Sequence, residues 1–124
     1  MSKKRIMIVD DDSEYLFLLN HSLTSEGYQV VACSNSEEVV RKAREIKPDL
    51  IILDLFMPRE DGAEIGMKLK DDLVTAAIPV IFLTNLKLPD EKENSASSGN
   101  SSNIVIAKSH NRSELLKAIK EVLA

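Results

Sequence analysis

Two apolar rhythms alternate along this chain. Short unbroken runs at Ile6–Val9, Val30–Cys33, Leu50–Leu53, Val80–Leu83 and Ile104–Ala107 have the length and branched side chains of strands buried on both faces. Between them the apolar positions take helical spacing. Leu16, Leu19 and Leu23 form the first stripe, with Asp11 and Glu14 placed as a capping box, Ser13 as a weaker alternative cap and Gly27 as the stop. Ser34 and Glu37 form a second box ahead of Val39, Val40, Ala43 and Ile46, and Pro48 closes that helix. A turn over Pro58–Gly62 leads to Ile65, Leu69 and Leu73, and Pro79 opens the fourth strand. Asn111 with Glu114 starts a last helix, in which Leu115, Leu116, Ile119, Val122 and Leu123 share one face. Strands that alternate with helices predict an α/β, doubly wound, five-stranded parallel sheet covered on both sides.

One stretch breaks the rhythm. Between Leu86 and Ile104 the apolar side chains are Leu88 and Ala96, apart from Pro89, and residues 95–103 have the composition of a linker. The fourth covering helix belongs here, yet no buried face can be drawn for it. On composition, Leu88–Asn103 is expected to be more mobile than the rest.

With 124 residues the chain is read as one domain, residues 1–124, large enough to bury a core without staples. Hydrophobic residues at 44% and charged residues at 29% describe an ordinary globular protein. A net charge of -4 and the lack of a basic stripe argue against direct nucleic-acid binding, and Lys3-Lys4-Arg5 reads as a solvated start. The single cysteine, Cys33, excludes an internal disulfide and sits in an apolar run as core filler. Neither a signal-peptide core nor a membrane span is present, so the expected location is cytoplasmic.

Composition adds little to the picture; the strand ends change it. Ile6–Val9 runs into Asp10-Asp11-Asp12, Leu50–Leu53 into Asp54, Val80–Leu83 into Thr84, and Ile104–Ala107 into Lys108. In a parallel sheet all carboxyl ends share one edge, and ligands bind outside it. Carboxylates from Asp10, Asp11 and Asp54 crowded there repel one another and call for a hard cation, for which Mg²⁺ with phosphate oxygens is the natural choice. One carboxylate then serves as nucleophile toward phosphorus, with the Lys108 ammonium and the Thr84 hydroxyl contacting phosphate oxygens.

These residues carry a resemblance. The string Ile8-Val9-Asp10-Asp11, then Asp54-Leu55-Phe56-Met57-Pro58-Arg59-Glu60-Asp61-Gly62, then Leu83-Thr84 and Lys108, resembles the receiver domain of bacterial two-component response regulators over essentially the whole chain. The resemblance implies a flavodoxin-like sheet in strand order 2-1-3-4-5. It implies Asp54 as phosphoacceptor, and Asp10, Asp11, Asp54 and the Phe56 backbone carbonyl as Mg²⁺ ligands, with Asp11 the more direct of the acidic pair. Thr84 and Lys108 match the family's switch hydroxyl and phosphate-binding lysine. The implied donor is the phosphohistidine of a histidine kinase or phosphotransfer protein, and the receiver catalyses only its own phosphorylation and dephosphorylation before acting on an output protein.

The chain departs from that pattern in four places. Ser109 stands where the family usually has proline after the lysine, so the Lys108-Ser109 bond is expected to be trans and the ammonium less firmly aimed. Val105 replaces the family's rotating aromatic, the Ser-rich stretch replaces the fourth helix, and Asn85 follows the switch threonine where small residues are common. Ser109, Val105 and the missing helix pattern motivate an alternative: a receiver-fold binding module with an impaired or absent switch, its uncovered sheet face closed by a partner or a second copy in a homodimer. A third reading, an aspartate-nucleophile phosphatase of the haloacid-dehalogenase type, is suggested by Asp10-x-Asp12 but contradicted by Glu14 and by the lack of a Gly-Asp pair for that family's later acidic loop. His21 and His110 read as solvated or cap-associated, Asp71-Asp72 as a solvated pair, and Tyr15 and Phe17 as helix packing. Asp12 reads as an acid favoured by a helix start, with no catalytic role. The end of the chain just past its last helix fits either a stand-alone receiver or one part of a larger regulator.

Overall fold

The structure is a computed structural model, and it describes residues 3–55, 57, 60–84, 104–108 and 112–124. Five strands, β1 (Arg5–Val9), β2 (Gln29–Cys33), β3 (Leu50–Asp54), β4 (Val80–Thr84) and β5 (Ile104–Ala107), pair in parallel in the order β2-β1-β3-β4-β5. The helices are α1 (Ser13–Ser25), α2 (Val39–Ile46, entered through a 3₁₀ turn at Ser36–Glu38), α3 (Gly62–Asp71) and α4 (Arg112–Leu123). The expectation of a doubtful helix between β4 and β5, like the mobility expected of Leu88–Asn103, falls outside the described residues.

Strand alternation sorts the core into two layers. Met7, Val9, Ile51, Leu53, Val80 and Phe82 face Val39 and Ala43 of α2 and Ile65 and Leu69 of α3. Ile6, Ile8, Leu50, Ile52, Ile81 and Leu83 face Leu16, Leu19 and Leu23 of α1 and Leu115 and Ile119 of α4. Every residue of β3 and β4 is buried, as expected of central strands covered on both sides. Leu116, Val122 and Leu123 pack half-buried around the α4 stripe.

Local chemistry moves several boundaries from those read in the sequence. The cap of α1 is Asp12 rather than Asp11: its Oδ1 accepts from the N–H groups of Glu14 (3.0 Å) and Tyr15 (3.2 Å). The second cap is Asn35 rather than Ser34, with Oδ1 accepting from Glu37 N–H at 2.9 Å. Each misplaced cap lies one residue upstream of an equally competent oxygen, and a cap of this kind contributes about 1 kcal/mol. α2 ends on Lys47 in the left-handed region (φ 51°) ahead of Pro48, and Gly27 (φ 99°) follows α1 where a side chain would be strained. Leu73 is no part of the α3 stripe. The helix stops at Asp71, and Leu73 lies in the following turn, 97% exposed. Phe17 is likewise not packed, being 72% exposed on α1.

The turn after α3 is a second correction. Asp71 is exposed, but Asp72 is tied down: Oδ1 accepts from Val74 N–H at 2.9 Å, and Oδ2 lies 2.6 Å from Arg44 Nε and 2.5 Å from its Nη2. The Thr75 hydroxyl, buried, donates to Leu69 O at 2.6 Å and closes the helix end. Arg44, followed by the turn N–H groups, holds the Asp72 carboxyl below its usual value against the cost of burial. A depressed folded pKa means that the stabilisation is complete above the unfolded carboxyl pKa and is lost as pH falls through the folded one. Asp72→Asn, which keeps the turn acceptor and removes the charge, is therefore expected to lower the urea midpoint at neutral pH. Its curve should converge on wild type in acid; a difference that does not change with pH would contradict the ion-pair account.

Candidate functional site

The strand register sets the carboxyl edge. Val9 pairs with Leu53, Asp54 with Leu83 and Thr84 with Ala107, so four strands release their next residues at nearly one level. β1 releases Asp10 and Asp11, β3 ends on Asp54, β4 ends on Thr84, and β5 turns at Lys108.

Asp10 is buried and held from two sides: its N–H donates to Cys33 O at 3.2 Å, and its Oδ1 accepts from Asp12 N–H at 3.0 Å. Its Oδ2 lies 2.6 Å from Lys108 Nζ. That ion pair is not an aligned hydrogen bond, so Oδ2 is a buried oxygen without a hydrogen-bond partner among the described residues. Asp54 is also buried, with Oδ1 3.7 Å from the same ammonium. Asp11 is exposed, and one oxygen each from Asp10, Asp11 and Asp54 lies within 4.8 Å of the others. Thr84 is buried beside them, and its carbonyl accepts from Lys108 N–H at 2.7 Å. Asp10, Asp11, Asp54 and Lys108 thus meet in one cluster, with Thr84 joined to it through the β4–β5 ladder. Phe56, Asn85, Ser109 and His110 lie outside the described residues; His21 is exposed on α1.

Lys108 is the electrostatic hinge of this cluster. Burial disfavours its charge, but the Asp10 carboxylate, and after it the charge of Asp54, outweighs that cost and raises its pKa above the ordinary lysine value. Three carboxylates face one ammonium. The excess among these four groups is two negative charges, which a divalent cation with oxygen ligands would neutralise. One oxygen each from Asp10, Asp11 and Asp54 lies close enough to the others to share one cation, and all three are hard carboxylate donors, so the residues fit Mg²⁺.

Two features of the site were not found from the sequence. Gly62, the first residue of α3, packs so close that a Cβ there would lie 2.2 Å from Asp54 O. Its N–H donates to Leu55 O at 2.7 Å. The Asp61-Gly62 pair is the available signal; in the sequence it reads as a turn and as the end of the string that carries the resemblance, with no contact to Asp54 implied. Tyr15, expected to be packing alone, also has its ring centroid 4.5 Å from Lys108 Nζ.

The family profile described as "Response regulator receiver domain" matches residues 6–120. The chain belongs to that family. Receivers are signalling modules of two-component systems that accept phosphoryl groups. PilH of Pseudomonas aeruginosa is 34% identical over 120 residues, covering 97% of this chain and 98% of that protein. The alkaline phosphatase synthesis transcriptional regulatory protein PhoP of Bacillus subtilis is 38% identical over 81 residues, 65% of this chain. The matched part is a third of PhoP's length, 33%, against nearly all of PilH. Among solved structures, the Vibrio cholerae chemotaxis protein CheY4 superposes with a TM-score of 0.82 at 26% identity, covering 98% of this chain and all of that one. The sheet order 2-1-3-4-5 is the receiver family's flavodoxin-like order. Among the described residues no helix is long and apolar enough to cross a membrane.

Proposed function

We propose that this chain, residues 1–124 read as a single receiver unit, takes a phosphoryl group onto Asp54 from the phosphohistidine of a histidine kinase or phosphotransfer protein. In this reading a carboxylate oxygen of Asp54 attacks phosphorus. The P–N bond to the donor imidazole breaks as the acyl phosphate forms, and the departing nitrogen takes up a proton from solvent. Asp10, Asp11 and Asp54 are the carboxylates that would hold Mg²⁺, with the Phe56 carbonyl proposed as a further ligand. When bound, Mg²⁺ offsets negative charge on the phosphoryl oxygens. Lys108 supplies a fixed positive charge to one of those oxygens and the Thr84 hydroxyl donates to another; burial of the pocket makes both contacts count for more than in water.

The observation that carries this reading is the placement of Lys108 Nζ, 2.6 Å from Asp10 and 3.7 Å from Asp54, in a pocket where Asp54, buried like Asp10, ends the central strand β3. The binding-module alternative rests on Ser109 and the Ser-rich stretch, neither of them described, and on Val105, and no observation among the described residues favours it. The output is then a protein surface that changes on phosphorylation, in a cytoplasmic protein that touches neither nucleic acid nor membrane directly.

The test is direct. Incubated with a small-molecule phosphodonor and Mg²⁺, the chain should gain the mass of one phosphoryl group, and peptide mapping should place it on Asp54. Omitting Mg²⁺ should suppress the gain. No gain, or a gain mapped to another residue, would overturn the reading.

A further inference from the structure

Lys108 is tethered by groups with different fates, and the difference singles out Tyr15. The ammonium touches the Asp10 carboxylate at 2.6 Å and lies 4.5 Å from the centroid of the Tyr15 ring. Asp10 is also one of the three carboxylates grouped tightly enough to hold a cation. A carboxylate that turns to a metal is a weaker anchor for the ammonium. The ring quadrupole attracts a cation without competing for the metal.

The ring is itself well fixed. Tyr15 sits in the first turn of α1, where its N–H donates to the capping Asp12 Oδ1 at 3.2 Å. Its half-buried side chain packs against the layer of Ile8, Leu19 and Leu83. Lys108, by contrast, depends on its partners for its aim. A cleft of about 190 Å³ opens beside the pair, lined also by Ile106, Ala107, Arg112 and Leu115. The long Lys108 side chain has several rotamers to lose.

We infer that Tyr15 is a positioning residue: its ring face holds the Lys108 ammonium at the carboxylate edge, so that the lysine stays aimed at the phosphoryl group when Asp10 engages a cation. The inference rests on the proposed phosphorylation of Asp54. The ring, not the hydroxyl, carries the effect, so Tyr15→Phe should behave as wild type and Tyr15→Leu should not.

Two measurements test it. In the NMR spectrum of the wild-type chain with Mg²⁺, the Lys108 ε-methylene protons should be shifted upfield by the ring current. The shift should persist in Tyr15→Phe and vanish in Tyr15→Leu. With a small-molecule phosphodonor, Tyr15→Leu should be phosphorylated about three- to tenfold more slowly than wild type at saturating Mg²⁺, and Tyr15→Phe within about twofold. Absence of the ring-current shift in the wild-type chain overturns the inference without recourse to any variant. Equal rates in wild type and Tyr15→Leu overturn it while leaving the phosphorylation of Asp54 standing. A wild-type chain that takes no phosphoryl group under these conditions overturns the proposed function, and the inference with it.

Discussion

Asp54→Asn is expected to take up no phosphoryl group under conditions where the wild-type chain is modified, a fall of at least about 10³-fold in rate. The substitution is nearly isosteric, and Asp54 is buried at the end of a fully buried strand, so the amide occupies the same space and β3 keeps its pairing with β1 and β4. What changes is the proposed nucleophile. An amide oxygen carries no full negative charge, and its attack on phosphorus would leave a charged adduct in place of a neutral acyl link. Replacing Asp10 or Asp11 by asparagine removes a candidate cation ligand but leaves the proposed nucleophile, so those variants should slow uptake rather than abolish it. Intact-protein mass spectrometry after a timed incubation distinguishes the cases. Uptake by Asp54→Asn at the wild-type rate would remove Asp54 from the chemistry.

Gly62→Ala should destabilise the fold by about 3 kcal/mol, near the upper end of ordinary overpacking costs, and slow phosphoryl uptake. Two effects oppose each other here. Helix propensity alone favours alanine over glycine by up to about 1 kcal/mol. The contact opposes it more strongly: the new methyl carbon would lie 2.2 Å from Asp54 O and 2.7 Å from Leu55 Cα. Both are backbone atoms, which cannot rotate away, so α3 must lift or the end of β3 must bend. Either response displaces Asp54. Gly66 provides the control, because its added carbon would meet the Phe82 ring at 2.9 Å, a side chain able to turn. Urea unfolding of the two alanine variants should therefore show the larger loss at Gly62. A gain in stability for Gly62→Ala would show that the close approach at the end of β3 is not a constraint.

The layer architecture was legible because it depends only on burial. Runs such as Leu50–Leu53, apolar at every position, short, and preceded by Pro48, suit a strand covered on both sides, and the order of elements then leaves few topologies. The polar ends of those runs were legible for the same reason, since the edge where strands stop is set by the runs themselves. Boundaries decided by single hydrogen bonds were not. Three consecutive aspartates offer three caps, and the choice of Asp12 follows from Asp10 accepting from Asp12 N–H, a contact that spacing does not reveal. Leu73 continued the helical period of Ile65 and Leu69 although Asp72 had already turned the chain. Tyr15 and Lys108 are far apart in sequence, and nothing in either neighbourhood announces that ring and ammonium meet.

The strand order has a consequence for how the molecule is made. β2 lies on one side of β1; β3 adds to the other side, β4 to β3, and β5 to β4. From the third strand onward, each new strand finds its only earlier neighbour already synthesised. The sheet can therefore be laid down in the direction of translation, one edge at a time, although each pairing spans a crossover and closes slowly. The carboxylates arrive with β1 and β3, and the lysine that balances them arrives last, with β5. A nascent chain thus carries its acidic cluster uncompensated until its final strand docks, and Mg²⁺ present during synthesis would ease that repulsion before Lys108 exists to do so.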